Sequence, residues 1–126
     1  MAMHPNTAKK MATKISNSVS TMSPTELRLT ANAAQAELTA RRTAWVRANN
    51  ERFQELERSG RAVVNEVSDP TDYWRNDRVV VTVLGKSRIN ASVGMARVAP
   101  GDRYDYSIGI AIAFARAMGE EVPDLF

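Results

Sequence analysis

Residues 78–95, RVVVTVLGKSRINASVGM, decide the fold of this chain. The run from Val79 to Val83 contains only β-branched side chains, which favours a strand, and Gly85-Lys86-Ser87 is typical of a hairpin turn. After the turn, apolar side chains stand at the odd positions from Ile89 to Met95, with polar or small ones between them. This alternation is typical of a strand. We therefore predict two antiparallel strands joined by a tight turn.

A third strand precedes this hairpin. Residues 62–67, AVVNEV, form a short β-favouring run that begins soon after Gly60. Residues 68–72, SDPTD, separate this run from the hairpin and are typical of a loop. The sequence thus predicts a three-stranded antiparallel sheet within residues 62–98.

Helices are predicted on both sides of the sheet. Residues 23–26, SPTE, are a strong helix start, because Ser23 and Glu26 can form a capping box. No Gly or Pro follows until Gly60, which predicts a long helix over 24–58. Asp105 can cap a last helix over 106–118, which Gly119 ends. The predicted class is α+β: a long N-terminal helix, three strands and a C-terminal helix.

The positive charge of the chain lies at its beginning. The net charge is +3, and residues 1–22 contain Lys9, Lys10 and Lys14 but no acidic residue. This segment has no sustained apolar period, so we predict a flexible basic arm over 1–22 and a single α+β domain over 23–126.

The long helix predicts self-association. A helix of 35 residues is roughly 50 Å long, more than a domain of this size can cover. Its narrow apolar stripe includes Leu27, Ala31, Ala34, Leu38 and Trp45. Because no second long helix is predicted, we expect a copy of the same helix to cover the stripe, in a homo-oligomer of two or more subunits.

Composition argues against catalysis. The 126 residues include no Cys and a single His, His4, so nucleophilic triads and thiolate or imidazole metal sites lack their residues. We expect no enzyme activity, no metal and no cofactor. No apolar run is long enough to span a membrane, and no secretory signal is recognised, which predicts a cytoplasmic protein without membrane partners.

Two groups of residues are candidates for binding. Arg116 is the only charge in the apolar run over 108–118. It either pairs with a carboxylate such as Asp102, Asp105 or Glu120, or reaches water, or holds a phosphate in a pocket between subunits. The second group combines aromatic and cationic side chains: Tyr73, Trp74, Arg75 and Arg78. Its aromatic rings can stack a nucleotide base while the arginines hold the phosphate, or the same residues can simply cover an end of the sheet.

The stretch over 94–117, GMARVAPGDRYDYSIGIAIAFARA, resembles a module of small phage proteins. The resemblance rests on a glycine, a proline and two aspartates at fixed spacing, followed by an apolar helix that ends in Arg-Ala. It is similar to the C-terminal part of the phage Thoeris anti-defence family, which sequesters a cyclic ADP-ribose signal. A similar module occurs in small actinobacterial proteins of unknown function.

This resemblance implies a non-catalytic binding protein that counteracts bacterial anti-phage defence. It assigns Arg116 and Ala99, the residue before Pro100, to the nucleotide pocket, and we add Arg97 of the same stretch as a candidate. The ligand implied is of cyclic ADP-ribose type or a cyclic oligonucleotide. Where the family tends to have asparagine, this chain has Ala99.

Two other functions stay open. The order helix, three strands, helix is also that of the double-stranded RNA-binding domain, so a nucleic-acid-binding module is an alternative. That domain holds phosphates with lysines at the start of its last helix, where this chain has Asp102-Arg103-Tyr104-Asp105. Another alternative is a structural or assembly protein that oligomerises through the long helix.

Overall fold

A computed structural model of the chain describes residues 3–67, 78–85, 90–97 and 105–126. Its elements, in chain order, are α1 (Pro5–Val19), α2 (Pro24–Arg58), β1 (Ala62–Val67), β2 (Arg78–Leu84), β3 (Ala91–Arg97) and α3 (Tyr106–Ala117). The predicted α+β class is confirmed, with the order long helix, three antiparallel strands and C-terminal helix. Within the described ranges, no helix is both long enough and apolar enough to cross a membrane.

Helix α1 is an element that the sequence analysis does not predict. It lies within residues 1–22, for which a flexible arm is expected. His4 caps it, since its Nδ1 accepts a hydrogen bond from the Asn6 N–H at 3.2 Å, and Pro5 suits the first helical position. None of its side chains is buried. The expectation that this segment lacks an apolar period is wrong, because its apolar residues lie at helical spacing: Ala8, Met11, Ala12, Ile15 and Val19.

The bounds of α2 agree with the prediction. Ser23 and Glu26 form the expected capping box: the Glu26 N–H donates to Ser23 Oγ and the Ser23 N–H donates to Glu26 Oε1, both at 3.2 Å. After Arg58 the backbone turns away at Gly60, which has φ +72°. A side chain at that φ is strained, so glycine suits the helix end.

Two compact units divide the chain within α2: residues 1–42 with 123–126, and residues 43–122. In the first unit no described residue is buried, and Arg42 Nε donates a hydrogen bond to the Leu125 carbonyl. In the second unit lie the sheet, α3 and the buried core. The predicted boundary between an arm and a domain at residues 22 and 23 is a different division and stays a prediction.

The sheet has the strand order β1-β2-β3, with both pairs antiparallel. Val79 and Val81 of the central strand are fully buried on the face that α3 covers. In β3 the buried residues are Gly94 and Ala96, whereas Val93 is 62% exposed. The predicted alternation is thus present, and the face of β3 that packs against α3 carries the smaller side chains.

Small side chains on the sheet allow a close approach of α3. A Cβ atom on Gly94 would collide with the backbone of α3 at Ala113 and Ala117. Above the sheet, Phe114 of α3 is fully buried, and its ring lies 6.1 Å from the ring of Phe53 in α2, at an interplanar angle of 67°. Helix α3 is therefore covered by the sheet on one side and by Phe53 on another.

Candidate anion-binding site

Arg78 and Arg97 stand directly opposite each other on neighbouring strands. They are a register pair of the antiparallel β2–β3 ladder. Residues adjacent in each strand, Val79 and Ala96, are buried beneath α3, so the two arginines project from the other face of the sheet. Opposed residues of such a pair have Cβ atoms roughly 5 Å apart. Two cationic side chains are thus held side by side by the backbone.

The side chains of the three strands that point away from α3 form a surface that we name the open face. Its next rows hold Val80 opposite Met95, then Thr82 opposite Val93. On the outer strands Val63 and Val93 are 54% and 62% exposed. The contacts of α3 with β2 and β3 are made through the other face of the sheet. The open face therefore offers an apolar surface with two guanidinium groups at one end.

Arg116 reaches the same end of β3 from α3. Its Nη1 donates a hydrogen bond to the Met95 carbonyl at 2.6 Å, and the side chain is exposed. Met95 is two residues from Arg97 along β3, a distance of roughly 7 Å. The hydrogen-bond partner of Arg116 is thus a backbone carbonyl, and Asp102, one of the carboxylates expected as a partner, lies outside the described residues. The carboxylate of Glu120 instead pairs with Arg52, at 2.8 Å.

The described residues at this strand end carry positive charge without a paired acid. Among the described residues, no ion pair involves Arg78, Arg97 or Arg116. Glu66 of β1 stands opposite Val79, on the face of the sheet that α3 covers. Like charges directly opposite in a sheet are destabilising unless a counter-charge lies between them. The arrangement can hold an anion, and the planar guanidinium groups suit the oxygen atoms of a phosphate.

Four of the predicted site residues lie outside the described residues: Tyr73, Trp74, Arg75 and Ala99. The predicted turn at Lys86 and Ser87 lies outside them too. The structure pairs Arg78 with Arg97 across β2 and β3, whereas Arg116 belongs to α3 on the covered side of the sheet and contacts β3 at the Met95 carbonyl. The pairing of the two strand arginines depends on the register of β2 and β3.

The apolar residues of the open face, such as Val80 and Met95, are not among the site residues predicted from the sequence. The signal that could have identified them is the alternation in β3, whose apolar positions share a face with Arg97. What the alternation does not reveal is which face α3 covers. No group of His, Asp or Glu able to hold a metal ion is found in the described ranges.

Asp105, at the start of α3, acts as a helix cap. Its side chain accepts hydrogen bonds from the Ile108 N–H at 3.2 Å and from Ser107 Oγ at 3.0 Å. An anionic cap at this position is favourable for the helix and unfavourable for a phosphate. The lysine-type phosphate site of a double-stranded RNA-binding domain is therefore not present at Asp105.

Comparison with known protein families, curated proteins and solved structures finds no match to this chain.

Proposed function

We propose that this chain is a non-catalytic, oligomeric binding protein of phage type that captures a nucleotide-derived immune signal and so counteracts bacterial anti-phage defence. The observation that carries the proposal is the opposition of Arg78 and Arg97 across β2 and β3, with Arg116 near the same strand end. A cyclic ADP-ribose ligand has a diphosphate, which three guanidinium groups can hold by charge-assisted hydrogen bonds. Its apolar ring faces can lie on Val80 and Met95.

Several polar residues that could serve in catalysis instead have structural contacts, which favours a binding function over an enzymatic one. His4, the one imidazole of the chain, caps α1 through its Nδ1. Asp105 caps α3, and Glu120 pairs with Arg52. The proposed site therefore combines positive charge with an apolar surface, a combination that favours retention of an anionic ligand.

Native mass spectrometry tests the proposed capture. The full-length protein is incubated with cyclic ADP-ribose isomers and, separately, with cyclic dinucleotides and a short RNA duplex. We expect a nucleotide adduct that survives gentle desolvation. RNA binding that falls steeply with salt, without any nucleotide adduct, would support the nucleic-acid-binding alternative. Binding of none of these ligands would leave the assembly role as the better explanation.

Oligomerisation is proposed to use the first half of α2. All residues over 24–41 are exposed, although Leu27, Ala31, Ala34 and Leu38 follow one another along one side of the helix. Most of the stability of a helix in a protein comes from packing of its apolar face rather than from helix propensity. A second copy of α2 on this stripe would bury it and would stabilise the helix in this way.

Substitution of Leu38 by glutamate is expected to weaken this oligomer. Leu38 is 38% exposed, on the stripe, and a carboxylate there must be desolvated when a second helix packs against it. Leu29, 64% exposed, lies on roughly the opposite side of α2, so Leu29→Glu is the matched control. Sedimentation velocity should show Leu38→Glu dissociating at concentrations where Leu29→Glu stays assembled. A wild-type monomer at micromolar concentration would contradict the oligomer.

A further inference from the structure

Helix α1 is amphipathic and exposed. At 3.6 residues per turn, its apolar side chains fall within roughly 100° of the helix circumference, and we name them the α1 stripe: Ala8, Met11, Ala12, Ile15 and Val19. Met11 is 46% exposed and Ile15 is 58% exposed, and no side chain of α1 is buried. The described residues therefore leave an apolar side of this helix in contact with water.

Lysines occupy the remaining surface of α1. Lys9 and Lys14 lie on either side of the α1 stripe, each roughly 110° from its centre, and Lys10 is nearly opposite to it. All three side chains are exposed, and the sequence has no acidic residue before Glu26. Lysines that flank an apolar stripe can lay their methylene groups along an apolar surface while the ammonium groups stay in water. Helix α1 thus combines an apolar side with three positive charges and no negative one.

This combination favours one class of partner. Two copies of α1 packed stripe to stripe would bring their lysines together with no acid between them, which is unfavourable. The first half of α2, over 24–41, contains two arginines and two glutamates, so it offers no net negative charge. A nucleic acid matches the lysines but leaves the α1 stripe in water. A bilayer with anionic headgroups matches both, since the stripe can enter the region of the acyl chains while the lysines contact the headgroups.

We infer that α1 binds the surface of anionic membranes and lies parallel to the bilayer, with the α1 stripe turned toward the acyl chains. The helix has 15 residues and is roughly 22 Å long, and its three lysines oppose insertion across the hydrocarbon core. The sequence-based expectation of no membrane partner considers spanning and secretory segments only, and a helix on the bilayer surface is neither. Membrane binding is therefore a second interaction of this chain, separate from nucleotide capture.

Co-sedimentation of the full-length protein with lipid vesicles tests the inference. One set of vesicles contains equal amounts of phosphatidylglycerol and phosphatidylcholine, and the other contains phosphatidylcholine alone. We expect binding to the anionic vesicles to be at least tenfold stronger, because each of the three lysines raises the affinity several-fold near an anionic surface. Added salt should weaken this binding, since it screens the lysines from the headgroups.

Four variants separate the contributions of the stripe and of the charge. Ile15→Gln puts a polar amide near the centre of the α1 stripe and is expected to weaken binding to anionic vesicles roughly tenfold. Thr13→Gln introduces the same residue on the polar side of α1 and should bind like the wild type. Lys14→Gln is expected to weaken binding about fivefold. Arg47→Gln removes the same charge from an exposed position of α2 and should have little effect. None of these side chains is buried, so all four variants should fold.

Three results would overturn the membrane-binding helix. They are equal binding to the two kinds of vesicle, equal weakening by Ile15→Gln and Thr13→Gln, and no co-sedimentation at about millimolar lipid. In the last case, binding of a short RNA duplex that Lys14→Gln weakens and Ile15→Gln does not would assign the lysines to a nucleic acid. Helix α1 contains none of the arginines of the proposed anion site, so nucleotide capture, measured without lipid, succeeds or fails independently of these outcomes.

Discussion

Substitution of Gly94 by alanine is expected to lower the free energy of unfolding by about 3 kcal/mol or more. Gly94 is buried where β3 meets α3. The added Cβ would lie far inside nonbonded contact distance of the Ala113 carbonyl oxygen and the Ala117 amide nitrogen. Both are backbone atoms of a helix, so no side-chain rotation can relieve the clash. Helix α3 must lift from the sheet and lose contact with Val79 and Val81.

Urea denaturation, followed by circular dichroism, measures this effect. Gly85→Ala is the control, because a Cβ there would come no closer than 3.4 Å to the Asn90 carbonyl oxygen, an ordinary contact. The control is expected to change the unfolding free energy by less than about 1 kcal/mol. An unchanged denaturation midpoint for Gly94→Ala would mean that α3 does not pack on β3 at this distance. A shifted helix would also disturb the contact between Arg116 and Met95.

The second large effect is expected at the arginine pair. Arg97→Gln should weaken nucleotide capture by roughly ten- to a hundredfold, since a hydrogen bond to a charged group contributes about 1.5–3 kcal/mol. The same change removes one of two like charges that oppose each other in the sheet. Relief of that repulsion is expected to raise the unfolding free energy of the free protein by up to about 1 kcal/mol. Binding and stability therefore change in opposite directions.

Arg116→Gln should differ from Arg97→Gln. Arg116 donates a hydrogen bond to the Met95 carbonyl, so its loss is expected to reduce stability by about 1 kcal/mol as well as binding. Arg47→Gln, at an exposed position of α2, controls for the change in net charge. Isothermal titration calorimetry and thermal melting on the three variants separate the effects. Lower stability with unchanged nucleotide binding in Arg97→Gln would assign that residue a structural role.

Local sequence signals determined the elements that the structure contains. Ser23 with Glu26, Gly60, Asp105 and Gly119 act within a few residues of the helix ends that they define, so their effects can be recognised without knowledge of the fold. The β-branched run of β2 likewise specifies a strand wherever it stands. The order of elements and the α+β class follow from these signals.

Helix α1 is a local element that the prediction of a flexible arm missed. Its apolar residues Ala8, Met11, Ile15 and Val19 lie at helical spacing, although no side chain of α1 is buried. The capping contact of His4 with Asn6 is local, but its residue type is not among the strongest capping signals. The apolar spacing, together with the alanine and lysine of the segment, was therefore enough to predict this helix from the sequence.

Two features were decided only by the tertiary structure. One is which face of β3 is covered by α3, and the other is the pairing of Arg78 with Arg97. Side chains alternate along a strand in the same way whichever face is buried. Judged by Val93 and Met95 alone, their own face of β3 would be the buried one, whereas the structure buries the face of Gly94 and Ala96. What selects the side is the fit of α3 to Gly94, a contact between residues about twenty positions apart. The arginines meet because the β2–β3 register pairs them, and a shift by one residue would send one of them to the opposite face.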